Sequence, residues 1–283
     1  MELLKTKAEM RQAVAACRCD GLSVGLVPTM GYLHEGHISL VRAARAENGL
    51  VVVSIFVNPT QFGPSEDLAR YPRDLERDLA LCREAGADIV WNPEAAEMYA
   101  EDAATWVVVE GLTERLCGES RPTHFRGVTT VVSKLFNVVR ADRAYFGQKD
   151  AQQAFVVRRM TQDLDFGLDI VICPTVREAD GLAMSSRNIF LSPEDRTQAS
   201  VLRRALDAAE GMVAAGERRT ATIKERVQQV LAEASLARPD YVEIVDTNRL
   251  QPTEVVEGEA LLALAVFFGR TRLIDNTILR IGL

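Results

Sequence analysis

The residues best able to do chemistry lie in Val27-Pro28-Thr29-Met30-Gly31-Tyr32-Leu33-His34-Glu35-Gly36-His37, where two of the chain's three histidines stand within four residues of each other. The apolar run Leu22–Val27 ahead of them reads as a strand, and ligands of open α/β sheets bind at the carboxyl ends of strands. A helix starting at Glu35 would turn unpaired N–H groups and its positive dipole end toward that site, which suits an anion. His34 and His37, three apart, project to one side. Gly36 has no Cβ between them, so a flat base or a phosphate can come close. Such a pair could neutralise phosphate oxygens during transfer at an α-phosphorus. Two other readings compete. The histidines could be surface residues at a helix start, or a zinc pair that needs a further ligand from His124 or a distant carboxylate.

Three further groups have the composition to complete a polar site. Phe146-Gly147-Gln148-Lys149-Asp150 repeats the strand-end, helix-start arrangement. Gly147 permits close backbone approach, Lys149 is a movable point charge for phosphate, and Asp150 can cap a helix or accept from a ribose hydroxyl. Met184-Ser185-Ser186-Arg187-Asn188 is a donor-rich loop that could close over phosphates, or simply a solvated surface loop. Gln61, in Asn58-Pro59-Thr60-Gln61-Phe62-Gly63, follows the second strand, and Gln153 lies four residues past Lys149. Two amides, each both donor and acceptor, suit a small hydroxylated acid. Neither a G-x-x-x-x-G-K-[ST] nor a G-x-G-x-x-G pattern occurs. The acids of Glu66–Asp78 read as a solvated helix face, and Phe125-Arg126-Gly127 as a helix entry.

The elements that must position these residues follow from periodicity. Leu50–Val57 is almost continuously apolar, as a central parallel strand covered on both faces should be. Asp88–Trp91, Trp106–Val109, Arg143–Phe146 and Leu168–Cys173 read as further strands. Helices are expected over Glu35–Asn48, from Pro72 to Gly86, and over Val128–Val139 and Ala151–Leu164. A polar stretch with Ser65, Glu66 and Asp67 precedes the Pro72 helix. Strands alternating with helices predict a Rossmann-like, doubly wound parallel sheet. After Thr175 the pattern changes. Ser192-Pro193-Glu194-Asp195 starts a helix running to Val213, and Thr220–Ala234 is amphipathic, with Ile223, Val227, Val230 and Leu231 on one face. Tyr241–Val245, Ala260–Phe268 and Leu273–Arg280 then follow as strands. The fold class is therefore α/β, with residues 1–175 as the parallel-sheet domain and 176–283 as a smaller α+β domain.

Composition narrows the class of function. The chain has 283 residues, 47% of them hydrophobic, and a net charge of −7. It can bury a substantial core, and its acidic, interspersed charge argues against nucleic acid as a partner. No apolar run is long enough to span a membrane. Met1-Glu2-Leu3-Leu4-Lys5 lacks the apolar core of a signal peptide. Cys17, Cys19, Cys82, Cys117 and Cys173 are odd in number and scattered, which fits reduced thiols in a cytosol.

Taken in order, Pro28-Thr29-Met30-Gly31, His34-x-Gly36-His37, Asn58-Pro59-Thr60-Gln61-Phe62, Phe146-Gly147-Gln148-Lys149-Asp150 and Met184-Ser185-Ser186-Arg187-Asn188 together resemble the pantothenate synthetase family. The His-x-Gly-His element alone marks only the wider nucleotidyltransferase superfamily shared with class I aminoacyl-tRNA synthetases. The resemblance implies a cytoplasmic homodimeric ligase that joins pantoate to β-alanine using ATP, with Mg²⁺ accompanying the triphosphate. It implies an ATP site lined by Met30, Gly31, Tyr32, Leu33, His34, Glu35, Gly36 and His37, completed by Gly147, Gln148, Lys149, Asp150, Val176, Met184, Ser185, Ser186 and Arg187. His34, His37 and Lys149 would be catalytic, with His37 the proton donor. Gln61 and Gln153 would hold pantoate, Gln61 also lying beside β-alanine, and no protein metal site is implied. Two alternatives stay open on the residues alone. One is a nucleotidyltransferase that releases an adenylylated acid; the other is a nucleotide-binding module without catalysis.

Overall fold

The structure, a computed structural model, describes residues 1–64, 66 and 68–281; Ser65, Asp67, Gly282 and Leu283 lie outside the described residues. Six parallel strands form the first sheet: β1 (Glu2–Leu4), β2 (Val24–Thr29), β3 (Leu50–Ile55), β4 (Ile89–Trp91), β5 (Arg143–Gly147) and β6 (Asp169–Cys173). Their order is β1-β4-β3-β2-β5-β6. The chain therefore winds outward from β2 through β3 to β4, then returns to β5 on the other flank. The order reverses between β2 and β5, so a crevice opens where their carboxyl ends diverge.

The central strands β2, β3, β4 and β5 are largely dry on both sides because their side chains alternate between two apolar layers. Leu26, Val52, Trp91 and Phe146 pack into one layer, with α1 (Lys7–Cys19), α6 (His124–Val139) and α7 (Ala151–Asp163). Val27, Val53, Val90 and Tyr145 pack into the other, with α2 (Glu35–Glu47) and α3 (Leu75–Glu84). Two single-turn helices, α4 (Ala95–Met98) and α5 (Cys117–Ser120), lie in the long β4–α6 connection.

Beyond β6 come α8 (Pro193–Ala199), α9 (Val201–Ala214) and α10 (Thr220–Leu231), then an antiparallel sheet of β7 (Ala237–Asp246), β8 (Glu259–Phe268) and β9 (Thr271–Arg280) in the order β7-β8-β9. One face of β8, with Leu262, Leu264 and Val266, packs on α9 and α10. The other face presents Leu261 and Ala263 to Leu112, Leu116, Phe125 and Phe155 of the parallel-sheet domain. The central strand of the small sheet is thus buried on both sides.

The sequence expectations hold for the parallel sheet and the helix-then-strand second half, and fail in particulars. Trp106–Val109 is not a strand. It is an extended segment tied to α6 by side chains, the Thr130 hydroxyl accepting from Val107 N (3.0 Å) and the Thr129 hydroxyl donating to Val107 O (2.6 Å). Val108 is 60% exposed there, so the apolar run does not mark a sheet interior. The helix begun by Ser192, whose Oγ caps Asp195 N, breaks at Ser200 into α8 and α9. The helix expected from Pro72 starts at Leu75 behind an Asp74 cap. β1 and α1 were not anticipated from sequence; α1 starts at a capping box, with Thr6 capping and Glu9 reaching back.

Candidate active site

The β2–α2 connection ends in two stacked imidazoles. α2 begins at Glu35 with His34 as its N-cap, and the His34 and His37 ring centroids are 4.1 Å apart. His34 Nδ1 accepts from Gly36 N (3.1 Å), and His37 Nδ1 accepts from His34 N (3.3 Å). With both Nδ1 atoms accepting, each neutral ring carries its proton on Nε2. Gly36 is required by this contact, because a Cβ there would stand 2.9 Å from the His34 ring. The expectation of free helix-start amides is corrected here. Gly36 N is spent on the His34 ring, and His37 N and Ile38 N bond to His34 O. The imidazoles take over the donor role that the backbone was expected to fill.

Both rings are half-buried and neutral at physiological pH. Desolvation, then the Lys149 and Arg77 charges, lower His34 to about 4 against the pull of Asp150 and Glu178. Desolvation, then His34 and Lys149, lower His37 to about 3. At neutral pH the pair therefore offers two N–H donors rather than two cations.

Asp78 corrects the view of Glu66–Asp78 as a solvated face. It is 1% exposed, and its carboxylate accepts from Tyr32 N and Leu33 N at 2.7 Å each. Burial raises its pKa while those two amides pull it down. Asp78 therefore anchors the turn that delivers the histidines. Glu66 is likewise spoken for, by Arg121 Nε (2.8 Å).

The β3 end supplies a second wall. Asn58, 1% exposed, caps the Pro59–Gln61 turn and donates to Gln61 Oε1 and to Gly127 O, both at 3.1 Å. Gln61 Nε2 donates to Met30 Sδ (3.1 Å). His124 Nδ1 donates to Gln61 O (3.0 Å), so Nε2 of that ring is its acceptor. Desolvation and Arg121 lower His124 to about 4. The Phe125-Arg126-Gly127 entry proves to be a packing seam. A Cβ on Gly127 would sit 2.4 Å from Thr60 O, so only glycine lets α6 lie on this turn.

The third wall is the turn after β5. Lys149 Nζ and Asp150 Oδ1 are 3.7 Å apart. The Asp150 side chain does not cap α7. Desolvation raises its pKa, but the Lys149 and Arg187 charges outweigh that and hold the carboxyl below the usual carboxylate range. Across the crevice, Met184 N donates to Val176 O (3.0 Å), closing a hairpin that leads into Ser185, whose Oγ accepts from Arg187 N (3.2 Å).

Two adjoining cavities of about 770 and 220 Å³ share Arg121, His124, Lys149, Asp150, Gln153, Ser185 and Arg187 as walls. The smaller is also lined by Met30, His34, Gly36, His37, Gln61, Gly147, Val176, Met184 and Ser186. The larger runs toward Tyr241 and Arg272 of the small sheet. Four sequence-nominated residues stand back from both cavities. Gly31 and Leu33 are buried, Tyr32 lies under the Arg77 guanidinium, and exposed Glu35 pairs with Arg42. Gln148 also lines neither cavity, and its Nε2 faces Asn276 Oδ1. Asp78, Asn58 and Arg121 were not singled out from sequence, and His124 was considered only as a metal ligand. Among the described residues no group of three His, Cys, Asp or Glu side chains could hold a metal ion.

Known proteins match this architecture along its length. The family model described as pantoate-beta-alanine ligase matches residues 2–278. The chain is 60% identical over 282 residues to a pantothenate synthetase of Moorella thermoacetica, covering 100% of both chains. A crystal structure of pantothenate synthetase from Thermus thermophilus superposes with a TM-score of 0.93 at 50% identity, over 98% of this chain and 99% of that one. The pantoate-beta-alanine ligase of Francisella tularensis, complexed with beta-gamma ATP and beta-alanine, gives 0.80 at 30% identity, over 98% and 97%. On sequence and fold together, the chain belongs to the pantoate-beta-alanine ligase family.

Proposed function

We propose that the crevice between β2 and β5 condenses pantoate with β-alanine in two steps through pantoyl adenylate. The observation that carries this is the convergence of His34, His37, Lys149, Gln61, Gln153 and the Ser185–Arg187 loop on one pair of cavities at the switch point of the sheet. In the first step a pantoate carboxylate oxygen attacks the α-phosphorus, the α–β bridging P–O bond breaks, and pyrophosphate leaves. A carboxylate is already a nucleophile at neutral pH, so this step needs alignment and charge stabilisation rather than a base. The Nε2–H groups of His34 and His37, the Lys149 ammonium and the Arg187 guanidinium are the donors for the phosphate oxygens. Gly147, Asp150, Val176, Met184, Ser185 and Ser186 complete the nucleotide walls, and Gln61 and Gln153 hold the hydroxylated acid. In the second step the β-alanine nitrogen attacks the acyl carbon, the acyl–phosphate C–O bond breaks, AMP leaves and the amine gives up a proton.

Residues 1–175 form the nucleotide- and pantoate-binding unit in this reading, with 176–283 as the lid. The enzyme is a cytosolic homodimer, and its five free cysteines support that compartment. Among the described residues no helix is long and apolar enough to cross a membrane. The donor set fits Mg²⁺ carried on the substrate: Asp150 is the carboxylate beside Lys149, and among the described residues no protein cage competes with triphosphate oxygens. When bound, the ion would neutralise the charge that builds on the departing pyrophosphate.

A single assay tests the sequence of steps. With ATP and labelled pyrophosphate, exchange into ATP should require pantoate and no β-alanine, whereas stoichiometric AMP should require both acids. Exchange that demanded β-alanine would exclude a free-standing adenylation step.

A further inference from the structure

The lid contributes two adjacent side chains that reach both phosphate-facing loops. Asn276 of β9 is 5% exposed, and its Nδ2 donates to Gln148 O and Lys149 O, each at 2.9 Å. The Gln148–Asp150 turn has no side-chain cap of its own. Asn276 therefore grips the backbone on which Lys149 is mounted. Next to it, Asp275 is 1% exposed and takes a bidentate pair from Arg177, Nη1 at 2.6 Å and Nη2 at 2.9 Å. Arg177 Nη1 also donates to Gly181 O (3.0 Å). The same hairpin is closed by the Arg177–Ala183 bridge and by Met184 N on Val176 O, and it leads directly into Ser185–Arg187. Asp275 Oδ1 accepts from Asn276 N (2.8 Å), which ties the two side chains together.

The strand geometry explains how one dipeptide can do this. Successive side chains of a strand point to opposite faces, and β9 ends the β7-β8-β9 order, so its neighbours straddle an edge of the sheet. Ile278 shares the Asn276 face and packs against the nucleotide-domain seam, whereas Leu273 and Leu279 share the Asp275 face and pack toward α9 and α10.

We infer that Asp275-Asn276 is a positioning pair which sets Lys149 and the Ser185–Arg187 loop in register on the same triphosphate, so that docking of the lid and assembly of the cationic groups are one event. The inference rests on the functional reading above in taking Lys149 and Arg187 as phosphate ligands. A misplacement of such a group by about 1 Å can cost on the order of 100-fold in rate.

The test is a double-mutant cycle on pantoate-dependent pyrophosphate exchange by the full-length enzyme. Asn276→Ala should lower kcat about 10- to 100-fold with the pantoate KM little changed. In a Lys149→Ala background it should remove little more, because its effect passes through Lys149. Asp275→Asn should behave likewise against Arg187→Ala. A general loss of fold would instead multiply the two losses and move every KM. Undiminished exchange in Asn276→Ala, or full multiplicative losses in both cycles, would overturn the inference. If Asn276→Ala does not melt cooperatively, Asn276→Ser, which keeps one shorter donor, enters the same cycle under the same two criteria. Wild-type exchange in Lys149→Ala would instead defeat the functional reading itself, which keeps the two failures apart.

Discussion

At the residue scale the site is governed by imidazoles that are neutral before substrate arrives. Each has its Nδ1 occupied by an amide, as seen for His34 with Gly36 and His37 with His34. With His34 and His124 lowered to about 4 and His37 to about 3, all three stay unprotonated in the folded chain well below the ordinary histidine range. The unfolded chain takes up these protons near pH 6.5 and the folded chain does not. The resulting stability is fully present above pH 6.5 and is lost as pH falls toward 4, with a slope of up to about 1.4 kcal/mol per pH unit for each ring. Histidine ring NMR signals of the free enzyme should accordingly stay flat from pH 8 to 5.5, while the urea midpoint declines below pH 6.5. A ring titrating with a midpoint near 6.5 would contradict this account. The same neutrality was invisible in the sequence. The spacing of His34, Gly36 and His37 was legible, but the charge state depends first on burial by the folded chain and then on Lys149, which arrives from a distant part of it.

At the scale of elements, what could be read were the ends of strands and starts of helices, because periodicity and Gly, Ser and Pro signals are local. The crevice residues His34, Lys149 and Ser185 were found that way. Asp78 and Asn276 were not, since a lone acid on an amphipathic helix and an amide in a strand carry no signature until the chain is folded. Trp106–Val109 failed for a related reason: its apolar run matches a strand, but the hydroxyls of α6 hold it away from any sheet. The α6 packing seam yields a direct expectation. In Gly127→Ala the new methyl would meet the backbone of Thr60 and Gln61 at 2.4 and 2.6 Å, where nothing flexible can yield. The Pro59–Gln61 turn should shift, at a cost of about 1–3 kcal/mol in stability. Steady-state kinetics should show the pantoate KM raised tenfold or more, with the ATP KM within about twofold. Equal changes in both constants would remove Gln61 from the acid's pocket.

Across the whole molecule the two sheets meet through Leu261 and Ala263, which seal the outer side of the crevice against Leu116, Phe125 and Phe155. Shortening Leu261 to alanine should cost about 2–5 kcal/mol in stability, as cavities in a core do. It should also let water reach the proposed acyl adenylate. AMP formation without β-alanine should then exceed that of the parent enzyme in a coupled assay; an unchanged rate in a folded Leu261→Ala enzyme would show that the seam does not guard the intermediate. The parallel sheet and the smaller helix-then-strand part with its antiparallel sheet were legible from the change of pattern after Thr175. The contact between them was not, because alternation along β8 shows two apolar faces without saying what covers either. That double-sided dryness has a kinetic corollary: the halves can part only by wetting an oily surface, which makes a gaping form costly. If nucleotide enters only through such a form, its observed capture rate should level off at the opening frequency; a rate that climbs linearly with concentration would show that the cavities admit it as they stand.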